Sequence, residues 1–234
     1  MIIPCHSERG TCHSERSEES PDDRIIPSHV FLEAQESYQK QSYRNRCYIL
    51  TGNGKQMLQV PVVHREEETL PGAFARTGSR SDAEGRASSS LSMMRVRVDY
   101  STPWVMKTQR ALDTAYETAA YYEYYRDELF ALLDAKPASL WELNLSTIRF
   151  LIKHIGIACT LVPTQDFAAP GSVPDDYRAV IHPKHPDSVL QDLGLDRPYY
   201  QVFRDRLGGF TPGLSALDLL FNEGPGSLAW VKKV

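Results

Sequence analysis

The stretch SLWELNLSTIRFLIKHIGIACTLVP, residues 139–163, predicts a helix that is followed directly by a strand. Ser139 and Glu142 stand three residues apart, which is the spacing of a capping box at a helix N-terminus. Leucine and isoleucine then recur at helical spacing as far as Gly156, a residue type that commonly ends helices. IACTLVP follows as an apolar run of strand length. Helix-then-strand order favours an α/β fold over a helix bundle.

Upstream of this stretch, the alternation of apolar and polar residues predicts four further strands. They are VFLEA (30–34), RCYIL (46–50), QMLQVPVV (56–63) and RVRVDY (95–100). Gly-Asn-Gly at 52–54 is a turn signal, so the second and third of these strands are expected to form a hairpin. We therefore predict a small mixed sheet that is covered by several helices.

Three more helices are predicted around these strands. One begins at Pro103 with Thr102 as its cap, and a second covers AYYEYYRDELFALLDAK, residues 120–136. Near the C-terminus, Ser215 is expected to cap a helix that Gly224 closes. Each carries apolar side chains on one face, which is the pattern of a helix packed against a core.

Two segments differ in composition from the rest of the chain. Residues 1–28 contain the polar repeat CHSERGTCHSERSEES (5–20) and are predicted to be a disordered tail. Residues 65–92, which are rich in Glu, Arg, Ser and Gly, are predicted to be a low-complexity insertion. The domain prediction is therefore one α/β domain over residues 29–234 that carries this insertion.

The overall composition excludes several classes of protein. The 234 residues are 41% hydrophobic and 24% charged, with a net charge of −4, which suits a globular domain and disfavours a nucleic-acid partner. Because no apolar run reaches about 20 residues and no secretory signal is found, we predict no membrane span and a cytoplasmic location. Cysteine and histidine in the repeat lack the spacing of zinc ligands, so no metal site is predicted. The sequence leaves the cofactor open.

Candidate substrate-binding residues cluster in ESYQKQSYRNR, residues 36–46. Lys40, Arg44, Asn45 and Arg46 offer several directional donors, which suit the recognition of a phosphate or carboxylate. The alternative is a solvated polar loop. No GxGxxG, GxxxxGK[ST], GxSxG or HExxH motif is present, so no general catalytic signature supplies the chemistry.

Further candidates lie outside this cluster. His64 follows a predicted strand and is the candidate catalytic acid–base group, although a lone histidine is more often structural. Arg204 and Asp205 precede a Gly-Gly turn, and Ser215 stands at a helix N-terminus that offers N–H groups to an anion. Asp218 lies in the first turn of that helix, where it is either a substrate ligand or a partner of the helix dipole.

Six stretches, in order along the chain, resemble the WbqC-like family. They are ESYQKQSYRNRCYIL (36–50), NGKQMLQVPVV (53–63), VDYSTPW (98–104), YETAAYYEYY (116–125), HIGI (154–157) and QVFRDRLGGFTPGLSALDLLFNEGP (201–225). The last is long enough to be specific. The resemblance extends from about Val30 to Leu228, apart from residues 65–92.

The resemblance implies a cytoplasmic enzyme of bacterial O-antigen or other surface-polysaccharide biosynthesis that acts on an activated sugar. The reaction it suggests is transfer of an acyl or aminoacyl group to an amino sugar, with a nucleotide-activated sugar or an acyl donor as partner. Lys40, Arg44, Asn45 and Arg46 would then hold the anionic part of the substrate. Two alternatives remain open: a non-catalytic binding or scaffolding subunit, and an inactive copy with an altered N-terminus.

The N-terminus departs from the family pattern. Members usually begin with a strand and turn of the form (H/Y)xPxYLPPxxYF, just upstream of the segment that VFLEA resembles. The CHSER repeat stands in that place here. The resemblance therefore predicts that a buried first strand and part of the active site are missing.

Overall fold

The structure is a computed structural model that describes residues 3–4, 27–63, 92–178, 180–183, 189–192 and 196–231. The strands within these ranges are β1 (Ile3–Pro4), β2 (His29–Leu32), β3 (Arg46–Thr51), β4 (Gly54–Gln59) and β5 (Thr160–Pro163). The longer helices are α1 (Trp104–Tyr116), α2 (Tyr122–Asp134), α3 (Leu140–Ile155) and α6 (Ala216–Glu223). Three short helices are α4 (Val189–Asp192), α5 (Arg204–Leu207) and α7 (Ser227–Val231).

The predicted α/β fold class is confirmed. The described strands form two small sheets, and one of them is mixed: β2 pairs antiparallel with β1 and parallel with β5. The second sheet is the predicted β3–β4 hairpin, with Thr51 opposite Gly54 at its turn. Parallel pairing of β2 with β5 requires a long crossover, which the hairpin and helices α1–α3 supply.

The helix-then-strand prediction for residues 139–163 is also confirmed. Ser139 is the N-cap of α3, and its Oγ accepts a hydrogen bond from the Glu142 amide at 3.1 Å. Gly156 ends the helix in the left-handed region, at φ 83°, where glycine carries no steric penalty. The chain then enters β5 and pairs with β2.

Two local predictions need correction. Pro103 is the N-cap of α1 and not its first residue, because its ψ of 46° is not helical. RVRVDY (95–100) is not a regular strand: a 3-10 turn at Met93–Arg95 is followed by isolated bridges only. Val98 donates to Ala138, whereas Arg97 accepts from Val63, so the segment's bonds are divided between two neighbours.

Two clusters of buried side chains form the core. The first joins α1, α2, α3 and α6 with β3 and includes Tyr116 and Phe221, whose ring centroids are 5.0 Å apart. The second gathers Val96, Trp104 and Leu140 beneath the 3-10 turn. The candidate site described below lies where the two clusters meet.

Several predictions fall on residues that the structure does not describe. The disordered tail and the missing first strand concern residues 1–28, of which residues 5–26 lie outside the described ranges. The insertion predicted over 65–92 also lies outside them, apart from residue 92. Among the described helices, none has the length and apolar character that a membrane crossing requires.

The loop after β5 is fastened to β2 by a buried ion cluster. The Glu33 carboxylate accepts hydrogen bonds from Thr164 Oγ1 at 2.8 Å and from the Ala168 amide at 3.1 Å. The Arg178 guanidinium lies 3.4 Å from the same carboxylate and donates through Nε to Asp176 at 2.8 Å. This network orders a segment that contains little regular secondary structure.

The substitution Asp176→Asn is expected to flatten the acid side of the stability curve. Hydrogen bonds from Arg178 hold the pKa of the Asp176 carboxyl below its usual 3.8. A carboxyl whose pKa is lowered by folding stabilises the protein above its unfolded pKa and loses that contribution as the pH falls through the folded value. Melting temperatures measured from about pH 7 to pH 3 should therefore fall more steeply below about pH 4 in the parent protein than in the variant.

The control for this prediction is Asp175→Asn, which removes the same charge from an exposed neighbour. Its melting curve should follow the parent curve in shape. Parallel acid limbs for Asp176→Asn and the parent would show that the Asp176–Arg178 pair does not contribute to acid stability.

Candidate functional site

A cavity of about 190 Å³ lies between the β3–β4 hairpin and helices α1–α3. Leu112 and Leu129 from the first core cluster line it, as do Trp104, Leu133 and Leu143 from the second. We call it the inner cavity. Its wall is mainly apolar, with a few polar side chains, which is the usual composition of a small-molecule site.

The residues just before and within β3 supply the polar part of this wall. Asn45 is fixed by a pair of hydrogen bonds to Val60: its Nδ2 donates to the Val60 carbonyl at 3.0 Å, and its own carbonyl accepts from the Val60 amide at 2.8 Å. Asn144 on α3 donates to the Arg44 carbonyl at 2.8 Å. The start of β3 is therefore held rigidly between β4 and α3, and Arg46 and Cys47 follow on the same wall.

Three buried polar atoms on this wall have no hydrogen-bond partner among the described residues: Asn45 Oδ1, Arg46 Nε and Trp104 Nε1. All three residues line the inner cavity. A buried polar group without a partner costs about 1–3 kcal/mol, and native proteins seldom leave one without a reason. Three such groups around one cavity indicate that the cavity binds a polar ligand.

A second pocket, of about 330 Å³, adjoins the inner cavity. The two share Asn45, Arg46 and Gln59, and the second is also lined by Lys40 and Tyr38. We call it the outer pocket. Burial raises the pKa of the Tyr38 hydroxyl, and the nearby charges of Arg46 and Arg44 act in the opposite direction. The outer pocket therefore combines a neutral phenol with cationic side chains.

The structure brings several of the predicted substrate-binding residues together. Asn45 and Arg46 lie between the two cavities, Lys40 lines the outer pocket, and Arg44 and Ser215 line the inner cavity. The guanidinium of Arg44 is already bound by Glu36. The predicted catalytic His64 lies outside the described residues.

The other predicted residues lie elsewhere. Arg204 and Asp205 are exposed on α5 and line neither the inner cavity nor the outer pocket. Asp218 is buried, and its carboxylate accepts hydrogen bonds from the hydroxyls of Tyr116 and Tyr199, each at 2.7 Å. Burial raises its pKa. Their roles as substrate ligands stay predictions.

The C-terminal motif positions Ser215 at the cavity. Gln201 bonds to both the amide and the carbonyl of Thr211, at 2.8 and 2.9 Å, which closes the loop between them. The Ser215 amide then donates to the Tyr48 carbonyl on β3 at 2.8 Å. Ser215 Oγ caps α6 by accepting from the Leu217 amide at 3.3 Å.

Two residues of the site were not predicted from the sequence. Trp104 is buried and lines the inner cavity, and the only signal for it was its position in the VDYSTPW stretch. Cys47 lines the same wall, where burial raises the pKa of its thiol to about 11 while a hydrogen bond with Ser215 opposes the shift. The Cys47 thiol is therefore protonated at neutral pH and is not an activated nucleophile. Within the described ranges, no group of three histidine, cysteine or acidic side chains is placed to hold a metal ion.

Comparison with known proteins gives one family and one relative. A model of the WbqC-like protein family matches residues 27–71 and 83–182, which include the walls contributed by β3, β4 and α1–α3. The 201–225 stretch lies beyond that match. An uncharacterized protein of Mycobacterium tuberculosis, Rv1507c, is 26% identical over 207 residues, which cover 80% of each chain. No solved structure matches this chain.

Proposed function

Since the chain belongs to the WbqC-like protein family, we propose that it is a cytoplasmic enzyme of bacterial surface-polysaccharide biosynthesis. Its substrates are an activated sugar and an acyl donor, and its reaction is the transfer of an acyl or aminoacyl group to an amino sugar. The single observation that carries this proposal is the pair of adjoining cavities, one apolar and one cationic, that share Asn45 and Arg46.

The cavities suit the two parts of such a substrate. Lys40 and Arg46 give the outer pocket a positive character, and both side chains are good donors to phosphate oxygens. The leucine-lined inner cavity suits an alkyl or acyl group. A sugar phosphate or an activated acyl compound has both parts in one molecule.

The proposed acid–base group is His64. Val62 lines the outer pocket, and His64 follows it by two residues along the chain. Two residues span at most about 7 Å, so the chain leaves the outer pocket close to this histidine. An imidazole with an ordinary pKa can accept a proton from an attacking hydroxyl or amine at neutral pH.

A second candidate function is a non-catalytic binding subunit. It is favoured by the state of the inner cavity, where the Cys47 thiol is protonated and the Arg44 guanidinium is bound to Glu36. Such a wall binds a ligand without reacting with it. Mass spectrometry of the protein incubated with an amino sugar and acetyl coenzyme A distinguishes the two, because only the enzyme releases an acylated sugar.

The variant Arg46→Met is expected to weaken binding of an anionic substrate by tenfold or more. A hydrogen bond from a charged group contributes about 1.5–3 kcal/mol, and 1.4 kcal/mol corresponds to a factor of ten in the dissociation constant. Calorimetric titration with UDP-N-acetylglucosamine and with acetyl coenzyme A measures the effect.

The matched control is Arg149→Met, which removes the same charge from an exposed position on α3 that lines neither cavity. Its affinity should equal that of the parent. If Arg46→Met also binds as tightly as the parent, the proposed substrate site is wrong.

A further inference from the structure

The three unpartnered polar atoms of the inner cavity define which chemical group fits there. Arg46 Nε and Trp104 Nε1 carry hydrogen and act only as donors, whereas Asn45 Oδ1 acts only as an acceptor. The orientation of the Asn45 amide follows from its partner. Its nitrogen must face the Val60 carbonyl, which accepts at 3.0 Å, so the oxygen is the atom left without a partner.

A complementary ligand group therefore offers one donor and two acceptor sites. A secondary amide has this inventory: one N–H, and one carbonyl oxygen with two lone pairs. An ester or thioester has no N–H and would leave Asn45 Oδ1 without a partner. A carboxylate or phosphate is acceptor-only when ionised and would place its oxygens against the Asn45 oxygen.

The rest of the cavity suits an alkyl chain attached to that amide. Leu112, Leu129, Leu133 and Leu143 provide apolar walls, and the volume is about 190 Å³. An apolar cavity of about 150 Å³ holds a benzene-sized molecule, so this one has room for an amide with a short alkyl chain. The Thr147 hydroxyl, also on this wall, already donates to the Leu143 carbonyl at 2.9 Å.

We propose that the inner cavity is a recognition site for a secondary carboxamide with a short alkyl chain. The assignment rests on the proposed function, because it names the part of the substrate that the inner cavity holds. An amide resists displacement, so this group is recognised and not transferred, which agrees with the protonated Cys47 thiol beside it. Two substrates contain this group: an N-acylated amino sugar and the pantetheine arm of an acyl carrier.

The experiment compares two ligands of equal size, N-methylbutanamide and methyl butanoate, by ¹H–¹⁵N NMR of the full chain. The indole resonance of Trp104 is assigned with Trp104→Phe. We expect the amide to bind at least tenfold more tightly than the ester and to shift that resonance. In Asn45→Leu, the difference between amide and ester should disappear while the ester binds as before.

The outcomes separate this inference from the proposed function. Equal affinities for amide and ester would overturn the carboxamide assignment and leave the proposed function standing. If neither compound binds, and neither UDP-N-acetylglucosamine nor acetyl coenzyme A binds, both are wrong. Competition experiments then identify the source of the amide: displacement by N-acetylglucosamine 1-phosphate assigns it to the sugar, and displacement by pantetheine assigns it to the acyl carrier. Displacement by neither would overturn the assignment to a substrate.

Discussion

Replacing Arg44 by methionine is expected to lower the free energy of unfolding by about 3–5 kcal/mol. Arg44 Nε donates to Glu36 Oε1 at 2.7 Å, and Nη2 donates to the other carboxylate oxygen. The side chains of Arg44 and Glu36 are 2% and 11% exposed. Methionine leaves the Glu36 carboxylate buried without its cation, and an uncompensated buried charge is strongly destabilising.

This loss is large compared with the total stability of a typical domain, which is about 5–15 kcal/mol. Urea denaturation followed by circular dichroism measures it. The double variant Glu36→Leu/Arg44→Met removes both charges and should recover most of the loss, because a buried ion pair can often be replaced by apolar residues at little cost. A single variant within about 1 kcal/mol of the parent would show that the pair does not stabilise the fold.

Replacing Gly224 by valine is expected to destabilise the protein by about 2–5 kcal/mol, for two separate reasons. Gly224 follows α6 with a φ of 53°, a conformation that a β-branched residue rarely adopts. A Cβ atom at this position would also overlap the ring of Tyr121. The ring cannot withdraw easily, because the Tyr121 amide donates to the Phe221 carbonyl at 3.0 Å.

Gly226 provides the matched control for this substitution. It lies two residues further on, it is exposed, and no atom lies within 4 Å of the position that its Cβ would take. Thermal unfolding should show a large loss for Gly224→Val and a small one for Gly226→Val. Equal losses at the two positions would mean that the close approach of Tyr121 does not constrain this turn.

The parts of the fold that depend on neighbouring residues could be predicted from the sequence. The cap at Ser139, the helix end at Gly156 and the hairpin turn at 52–54 each depend on residues within four positions of one another. RVRVDY shows the limit of this reasoning. Its alternation is real, because Val96 and Val98 are buried, but its hydrogen-bond partners come from two distant segments. Apolar alternation gives the buried face and not the partner strand.

The candidate site shows the same division. Residue type correctly drew attention to the cluster around Arg44 and Arg46, two positions apart in sequence. Only the fold shows that Glu36 binds the first guanidinium, whereas Nε of the second has no partner among the described residues. Trp104 could not be found from the sequence, because the inner cavity forms only when α1 packs against the hairpin.

The central claim is that the inner cavity, with Asn45, Arg46 and Trp104 on its wall, binds the substrate. The most direct test is the position of a bound ligand in crystals soaked with whichever of UDP-N-acetylglucosamine or acetyl coenzyme A raises the melting temperature, since binding to the native state stabilises it. The account predicts ligand density in the inner cavity, with an acceptor atom within hydrogen-bond distance of Trp104 Nε1 and an anionic group in the outer pocket. Density at another surface, with the inner cavity empty, would contradict it.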